Sequence, residues 1–595
     1  MSNSVGTFSS RFAAFARSRI VLIITGGGIS IGYVVWRKRK FVSPKIDESK
    51  DDYIYLGHAD DGLEMEFSER QLKKSINFLK LAQSNHLKLS QYGLQSLAQL
   101  KKMEDYHCRR FSYLCDYKTA IQLARSEGVD LRLFTPPMNR YSRRGELFDI
   151  LYEIHKAFPN SPCNSFFATM TFRTRDRLKI IESNLEDELR EKYLSRRGVN
   201  LLCLQALFRY SAMGEENCKF MVERGLISSL LTLFENFPED MEMNASIAKI
   251  LAQLSQFKFS RKHFSACGWI GILARWLREE NLELRLSANK TLFNLSSDDQ
   301  VLGNHLYLLH PRFIDGIPKF DVVFIHGLLG SIFRTWRQAD SSKDRSDYTR
   351  CWPESWLAND INGLRILAVD YHSSIFERKG DCSSEKRSLI DRSETLINEL
   401  IAAGVGKRPV IFVGHSMGGL LIKQILINSA QSSLPSHRNL LNQVKGIVFY
   451  SVPHKGSEFT RFPYNLQKIV VPSQEVRELI KDSPHLHKLH SQFTSILKDK
   501  PIRVLSYGEA DRSKVGVKGI KVNTILVSPE SADPGFGQFK ILNTNHFNTC
   551  KPEDRSSSSY QDFKAFVKDV IQETYTFLPI NPKELLEKFR AFQWS

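Results

Sequence analysis

The first 46 residues contain no aspartate or glutamate, although they carry eight lysines and arginines. Nowhere in the chain do two cysteines form a C-x-x-C pair; the nine that occur are scattered and odd in number. That excludes a disulfide framework and a zinc site of the usual spacing, and leaves free thiols in a reducing compartment as the default. Nor does any one stretch gather basic residues into a stripe with interleaved aromatics. The net charge of +18 therefore does not read as a nucleic-acid surface. The loop Gly404-Val405-Gly406-Lys407 lacks the first glycine and the Ser/Thr after lysine that a phosphate loop requires. No cofactor and no metal is implied.

What is present is an ordinary globular composition, 42% hydrophobic and 25% charged over 595 residues, long enough for two to four domains. Residues 1–46 read as a targeting and anchoring segment. Arg11, Arg17 and Arg19 stand among serines with Phe8, Phe12 and Phe15 between them, as in a mitochondrial presequence. Ile20 to Trp36 is an uncharged run of 17 residues, bounded by Arg19 and by Arg37-Lys38-Arg39-Lys40. This is the lower edge for a membrane span, and the expectation is a single membrane helix, in which Gly28 and Gly32 form a G-x-x-x-G face. The heavier positive charge on the C-terminal side would leave the main body cytosolic if the anchor sits in the endoplasmic reticulum.

Residues 47–194 show helical spacing, as in Leu72, Ile76 and Leu79, without recognisable chemistry. Over 195–297 a repeat appears. Phe220 to Ile227 recurs as Phe264 to Ile270, with Gly225 and Gly268 spaced 43 residues apart, within the period of armadillo-like repeats. Such a stack offers a surface for a protein partner or a scaffold for the next domain. The segment from Ser297 to Pro318 reads as a link. Over 318–595 strand-like runs at 320–325, 364–369, 410–413, 446–450, 502–506 and 539–542 alternate with helical stretches. That order predicts an α/β fold, a mostly parallel sheet with helices on both faces.

The chemistry centres on Gly414-His415-Ser416-Met417-Gly418. An apolar strand precedes it and a helix-compatible run follows, the context in which G-x-S-x-G presents a nucleophilic serine on a sharp turn. A serine needs a base, an acid that orients the base, and donors for the oxyanion. In this chain order the donors come first, and His326-Gly327-Leu328-Leu329-Gly330 supplies them: the Leu328 N–H with that of Met417, His326 bracing the loop. His546, after the last strand, is the candidate base. His485, His487 and His490 sit on a helix over the site and read as surface residues. The acid should end a strand between serine and histidine. Glu509 does so and ranks first; Asp533, Asp511 and Glu530 are the rivals, Asp533 being favoured if 524–527 is the relevant strand.

These residues, with Pro453-His454-Lys455-Gly456-Ser457, resemble the lipase and esterase branch of α/β-hydrolases. Together with the N-terminal apolar segment and the armadillo-like middle, the whole chain is similar to the serine-active-site-containing protein family. The surroundings Ser531-Ala532-Asp533 and Asn545-His546-Phe547-Asn548 are similar as well. The resemblance implies a membrane-bound serine esterase or acyltransferase working on phospholipid acyl esters. It also implies phosphatidylglycerol remodelling, intracellular cholesterol trafficking, and a location where endoplasmic reticulum meets mitochondria. The other reading is a catalytically weak scaffold that binds partners through its repeats.

Overall fold

The computed structural model describes residues 19–25, 28–34, 62–100, 103–134, 147–159, 161, 196–314, 316–340, 348–373, 388–457, 477–478, 483–517 and 520–576. The presequence-like stretch over 1–18 and the basic cluster at 37–40 lie outside the described residues. Residues 1–66 and 67–595 form separate compact units. In the first unit, β1 (Arg19–Thr25) pairs antiparallel with β2 (Gly28–Val34). The single membrane helix expected over 20–36 is thus replaced by two short strands. The physical reason lies in the residues: isoleucine and valine dominate both runs and favour strands, while Gly26-Gly27 between them is a two-residue hairpin signal. No helix among the described residues is long and apolar enough to cross a membrane.

The second unit begins with helices. Two successive three-helix groups follow the repeat: Glu215–Glu223, Leu226–Asn236 and Met241–Leu254, then Arg261–Cys267, Trp269–Trp276 and Leu282–Ser296. Gly225 and Gly268 turn the chain between the first two helices of each group at φ 83 and 80, a left-handed conformation that glycine adopts without steric cost. The Trp269 indole N–H donates to the Ile227 carbonyl at 3.0 Å and ties one group to the other.

The helix Leu282–Ser296 has two apolar faces. Leu284, Ala288, Leu292 and Leu295 pack into the helical core. Leu282 and Leu286 instead join the core beneath the sheet, with Trp352 and Phe320. A helix that is apolar on both sides must be buried on both, and residues 286–292 of this one are buried throughout. Even Lys290 is enclosed; its ammonium donates to the Gly303 and Asn304 carbonyls, and burial lowers its pKa to about 8.

The sheet has seven strands: β3 (Leu306–His310), β4 (Phe320–Ile325), β5 (Leu364–Val369), β6 (Val410–His415), β7 (Val444–Tyr450), β8 (Arg503–Glu509) and β11 (Gln538–Leu542). Between β8 and β11 in sequence, β9 (Ser513–Val517) and β10 (Ile520–Thr524) form a separate hairpin. The spatial order in the sheet is β11-β8-β7-β6-β4-β5-β3. All pairs are parallel except β3 with β5. β3 lies inside the stretch read from sequence as a link; it is the edge strand of the sheet. The helices Leu389–Ala402 and Met417–Gln431 pack on one face, and Ser558–Thr576 on the other.

From the edge strand β3 the chain crosses to β4, turns back to β5 between them, then passes to the other side of β4 with β6. The carboxyl ends of β4 and β6 are therefore neighbours at a switch point, where open α/β sheets form their sites. Both strands are buried on both faces, which explains why they read as largely apolar runs.

One buried charge sits at the amino end of this region. Asp321 on β4 is fully enclosed, and Arg365 on β5 grips both its oxygens at 2.8 Å while Arg408 reaches it at 2.9 Å.

Candidate active site

β6 ends in His415 and the helix begins at Met417. Ser416 between them is held at φ 52, ψ −127, a conformation that a side chain rarely occupies and that surrounding contacts must enforce. They do: the Ser416 N–H donates to the Tyr450 carbonyl at 2.8 Å. Gly418 has no room for a side chain, since a Cβ there would lie 2.2 Å from the Ile325 carbonyl oxygen. Gly327 presses on the serine itself; its Cβ would lie 2.6 Å from that of Ser416. The loop after β4 and the turn after β6 are thus locked together.

The structure brings Ser416, His546 and Glu509 into one chain of hydrogen bonds. The hydroxyl of Ser416 lies 3.0 Å from His546 Nε2, and His546 Nδ1 lies 2.6 Å from Glu509 Oε2. Glu509 is the last residue of β8 and has no exposed surface. Its second oxygen accepts from the N–H groups of Leu526 and Val527 at 2.7 and 3.1 Å. β11 pairs with β8 in register Leu542 to Glu509, so the loop after β11 delivers His546 beside the carboxylate.

The rival acids lie elsewhere. Asp533 accepts from the Gly535 N–H at 2.8 Å. Asp511 and Glu530 are exposed. The run 524–527 is no strand in the sheet; β10 stops at Thr524, and the next residues form the loop whose N–H groups hold Glu509.

The two expected oxyanion donors flank the serine. Met417 is the first residue of its helix, where the N–H has no intrahelical acceptor. Leu328 follows Gly327, which touches Ser416. His326 braces the loop. Its Nδ1–H donates to the Gly327 carbonyl at 2.9 Å, Nε2 accepts from the Tyr371 N–H at 3.2 Å, and its ring stacks on that of Tyr371. Both ring nitrogens are thus engaged in bracing the loop, with Asp370 Oδ1 a further 3.4 Å from Nε2, which leaves it no part as a base.

Several participants were not legible from spacing. His415 is buried and donates from Nε2 to the His546 carbonyl at 2.9 Å; burial, then the neighbouring His546, push its pKa well down. Ser513 on β9 accepts from the His546 N–H at 3.1 Å. His454 and Ser531 belong to two loops zipped together. The His454 N–H donates to the Ser531 carbonyl at 2.9 Å. The Lys455 N–H donates to the Ser531 hydroxyl at 3.2 Å, and that hydroxyl donates to the Gly456 carbonyl at 2.6 Å. Ser457 Oγ donates to the Leu526 carbonyl at 2.6 Å. The same peptide segment that anchors Glu509 is therefore clamped from its other side.

His490 departs from the surface placement expected of it. It is half-buried, with Nδ1 2.9 Å from the Lys423 ammonium nitrogen, on a lysine with no exposed surface. The ring of His454, whose nitrogens have no hydrogen-bond partner among the described residues, lies 6.0 Å from that of His490.

Comparison with known proteins places this architecture. Protein SERAC1 of Bos taurus is 32% identical over 509 residues, covering 80% of this chain and 76% of its own length. The chain belongs to the SERAC1 family. Protein SERAC1 of Homo sapiens is 31% identical over 504 residues, with 80% and 76% covered. A model of the SERAC1 N-terminal domain matches residues 64–137, and one of the PGAP1-like alpha/beta domain matches residues 314–495. The latter span holds the oxyanion loop and the serine turn. It stops short of Glu509 and His546, which in this SERAC1 family member rest on chain order and on the hydrogen bonds that join them to Ser416. Among solved structures, Bacillus licheniformis lipase BlEst2 in mature form is 17% identical, with a TM-score of 0.29, covering 45% of this chain and 98% of that one. The parallel sheet order and the serine turn between β6 and its helix give the domain the α/β-hydrolase fold.

Proposed function

We propose that the protein is a serine hydrolase or acyltransferase acting on the acyl esters of lipids. The observation that carries this is the continuous path from Ser416 Oγ through His546 to the buried Glu509. Ser416 Oγ attacks the ester carbonyl while its proton passes to His546 Nε2. The Leu328 and Met417 N–H groups stabilise the oxyanion, as preorganised donors do wherever negative charge develops. Collapse expels the alcohol, which takes the proton back from His546. Water, or the hydroxyl of a second lipid, then accepts the acyl group from Ser416 and closes the cycle.

A site built this completely favours catalysis over the scaffold reading. Within this proposal the candidate substrate, suggested by the family resemblance, is phosphatidylglycerol, met where endoplasmic reticulum and mitochondria adjoin. The basic, apolar N-terminal segment would hold the enzyme at that membrane. A fluorophosphonate probe tests the reaction class. The full chain should be labelled and Ser416→Ala should not; equal labelling of both would end this reading.

A further inference from the structure

The loop after β4 carries two leucines that behave differently. Leu328 is half-buried and packs against the core beneath the helices Leu389–Ala402 and Met417–Gln431. Leu329 is instead 57% exposed and sits at φ 58. A leucine in the left-handed region is strained, because its Cβ crowds the following carbonyl. The conformation is enforced all the same, by a hydrogen bond from the Leu329 N–H to Ser373 Oγ at 2.9 Å. Strain held in place at a site is an observation from which a functional role is argued.

A second large apolar side chain stands beside the base. Phe547 follows His546, is 42% exposed, and meets the imidazole edge-on with ring centroids 5.7 Å apart. The turn that bonds Asn548 N–H and Thr549 N–H to the Asn545 carbonyl fixes it there. Single exposed apolar residues are ordinary on any surface. These two are singled out by position, since one follows an oxyanion donor and the other follows the base.

We infer that Leu329 and Phe547 are the acyl-chain contacts of this site, and that they give it a preference for esters with long acyl chains. The inference rests on the serine-hydrolase reading above. An acyl chain leaving the carbonyl held between Ser416 and the Leu328 N–H passes between the two side chains, which exchange contact with water for contact with hydrocarbon. Each further methylene that finds such a contact strengthens binding in the transition state as well as in the ground state.

The test is a chain-length ratio. The full chain is assayed on p-nitrophenyl butyrate and p-nitrophenyl decanoate, both below their aggregation thresholds, and kcat/KM for the long ester is divided by that for the short one. Leu329→Gly and Phe547→Ala should each lower the ratio by about tenfold, and Phe547→Leu should restore most of it. Any damage to the oxyanion donor at Leu328 slows both esters alike and cancels in the ratio. Leu329→Gly should also melt no lower than the parent, because it relieves a strained backbone. A ratio that stays within about twofold in both variants, in a protein that turns over the short ester, overturns the inference and leaves the hydrolase reading standing. Absence of turnover on either ester by the parent overturns both.

Discussion

Replacing Glu509 by glutamine changes the site by one atom, and the structure dictates how that atom is placed. One carboxylate oxygen accepts two backbone N–H groups, from Leu526 and Val527, and the other faces His546 Nδ1. A glutamine must keep its oxygen towards the two N–H groups, because its NH2 would meet them donor to donor. Its NH2 therefore faces Nδ1 and forces that nitrogen to accept. The proton moves to Nε2, which then points N–H at Ser416 Oγ and cannot take the serine proton. In a serine protease triad the corresponding change costs about 10⁴-fold in turnover, equivalent to about 5.5 kcal/mol in activation free energy. The same size of loss is expected here. Folding should be little affected, since the bonds to Leu526 and Val527 survive. The assay is kcat on p-nitrophenyl butyrate with a thermal melt on the same samples, beside Asp533→Asn, whose carboxylate caps the Gly535 N–H and should change kcat by less than about threefold. Turnover of Glu509→Gln within tenfold of the parent, in a folded protein, would refute the assignment of the acid.

Other outcomes follow from the surroundings. Ser531→Ala cuts the two bonds that hold the Lys455–Gly456 turn, next to the Ser457 that clamps the Leu526 carbonyl; losing about 1–2 kcal/mol of positioning should lower kcat roughly tenfold with KM little changed, as steady-state kinetics would show. Arg365→Met leaves Asp321 buried with Arg408 as its remaining guanidinium partner, and should cost about 3–5 kcal/mol in a denaturant titration. Stability should fall on acidification from pH 6.5 towards 4. Burial and the nearby Lys423 hold His490 near a pKa of about 4, and His415 and His454 are depressed in the same direction. The unfolded chain therefore binds protons that the native one refuses, and native stability is full above the ordinary histidine range and lost below it. Melting temperatures across that interval, steeper for the parent than for His490→Gln, would check this.

The parts of the site legible in the sequence were those set by local rules. Ser416 announces itself because the sharp turn needs glycines at 414 and 418, and Glu509 because a triad acid must end a strand between serine and histidine. What escaped depends on long-range pairing. β3 holds Leu306 to Leu309, an apolar run too short to distinguish from a link until β5 is beside it. The role of 524–527 turns on the β9–β10 hairpin, whose alternation, Val515 and Val517 then Ile520 and Val522, is too short to show that it stands apart from the main sheet. Lys423 reads as the polar face of a helix, yet it is enclosed by the helix carrying His490. The apolar run at 20–36 is long enough for one helix, and its β-branched residues and central glycines favour two strands instead.

The helix Leu282–Ser296 has a further consequence. Its asparagines reach across to the other region: Asn289 Nδ2 donates to the Leu308 carbonyl on β3, and Asn294 exchanges bonds with both the carbonyl and the N–H of Leu302. Leu282 and Leu286 lie in the same apolar layer as the strands carrying the catalytic loops. There is accordingly no clean seam at which the hydrolase could be excised. Cutting before β3 would strip one face of the sheet and leave its edge carbonyls without partners. The two regions are bound to unfold as one, and a lesion in the repeats, far from Ser416, would be felt at the active site as a loss of enzyme rather than as a loss of chemistry.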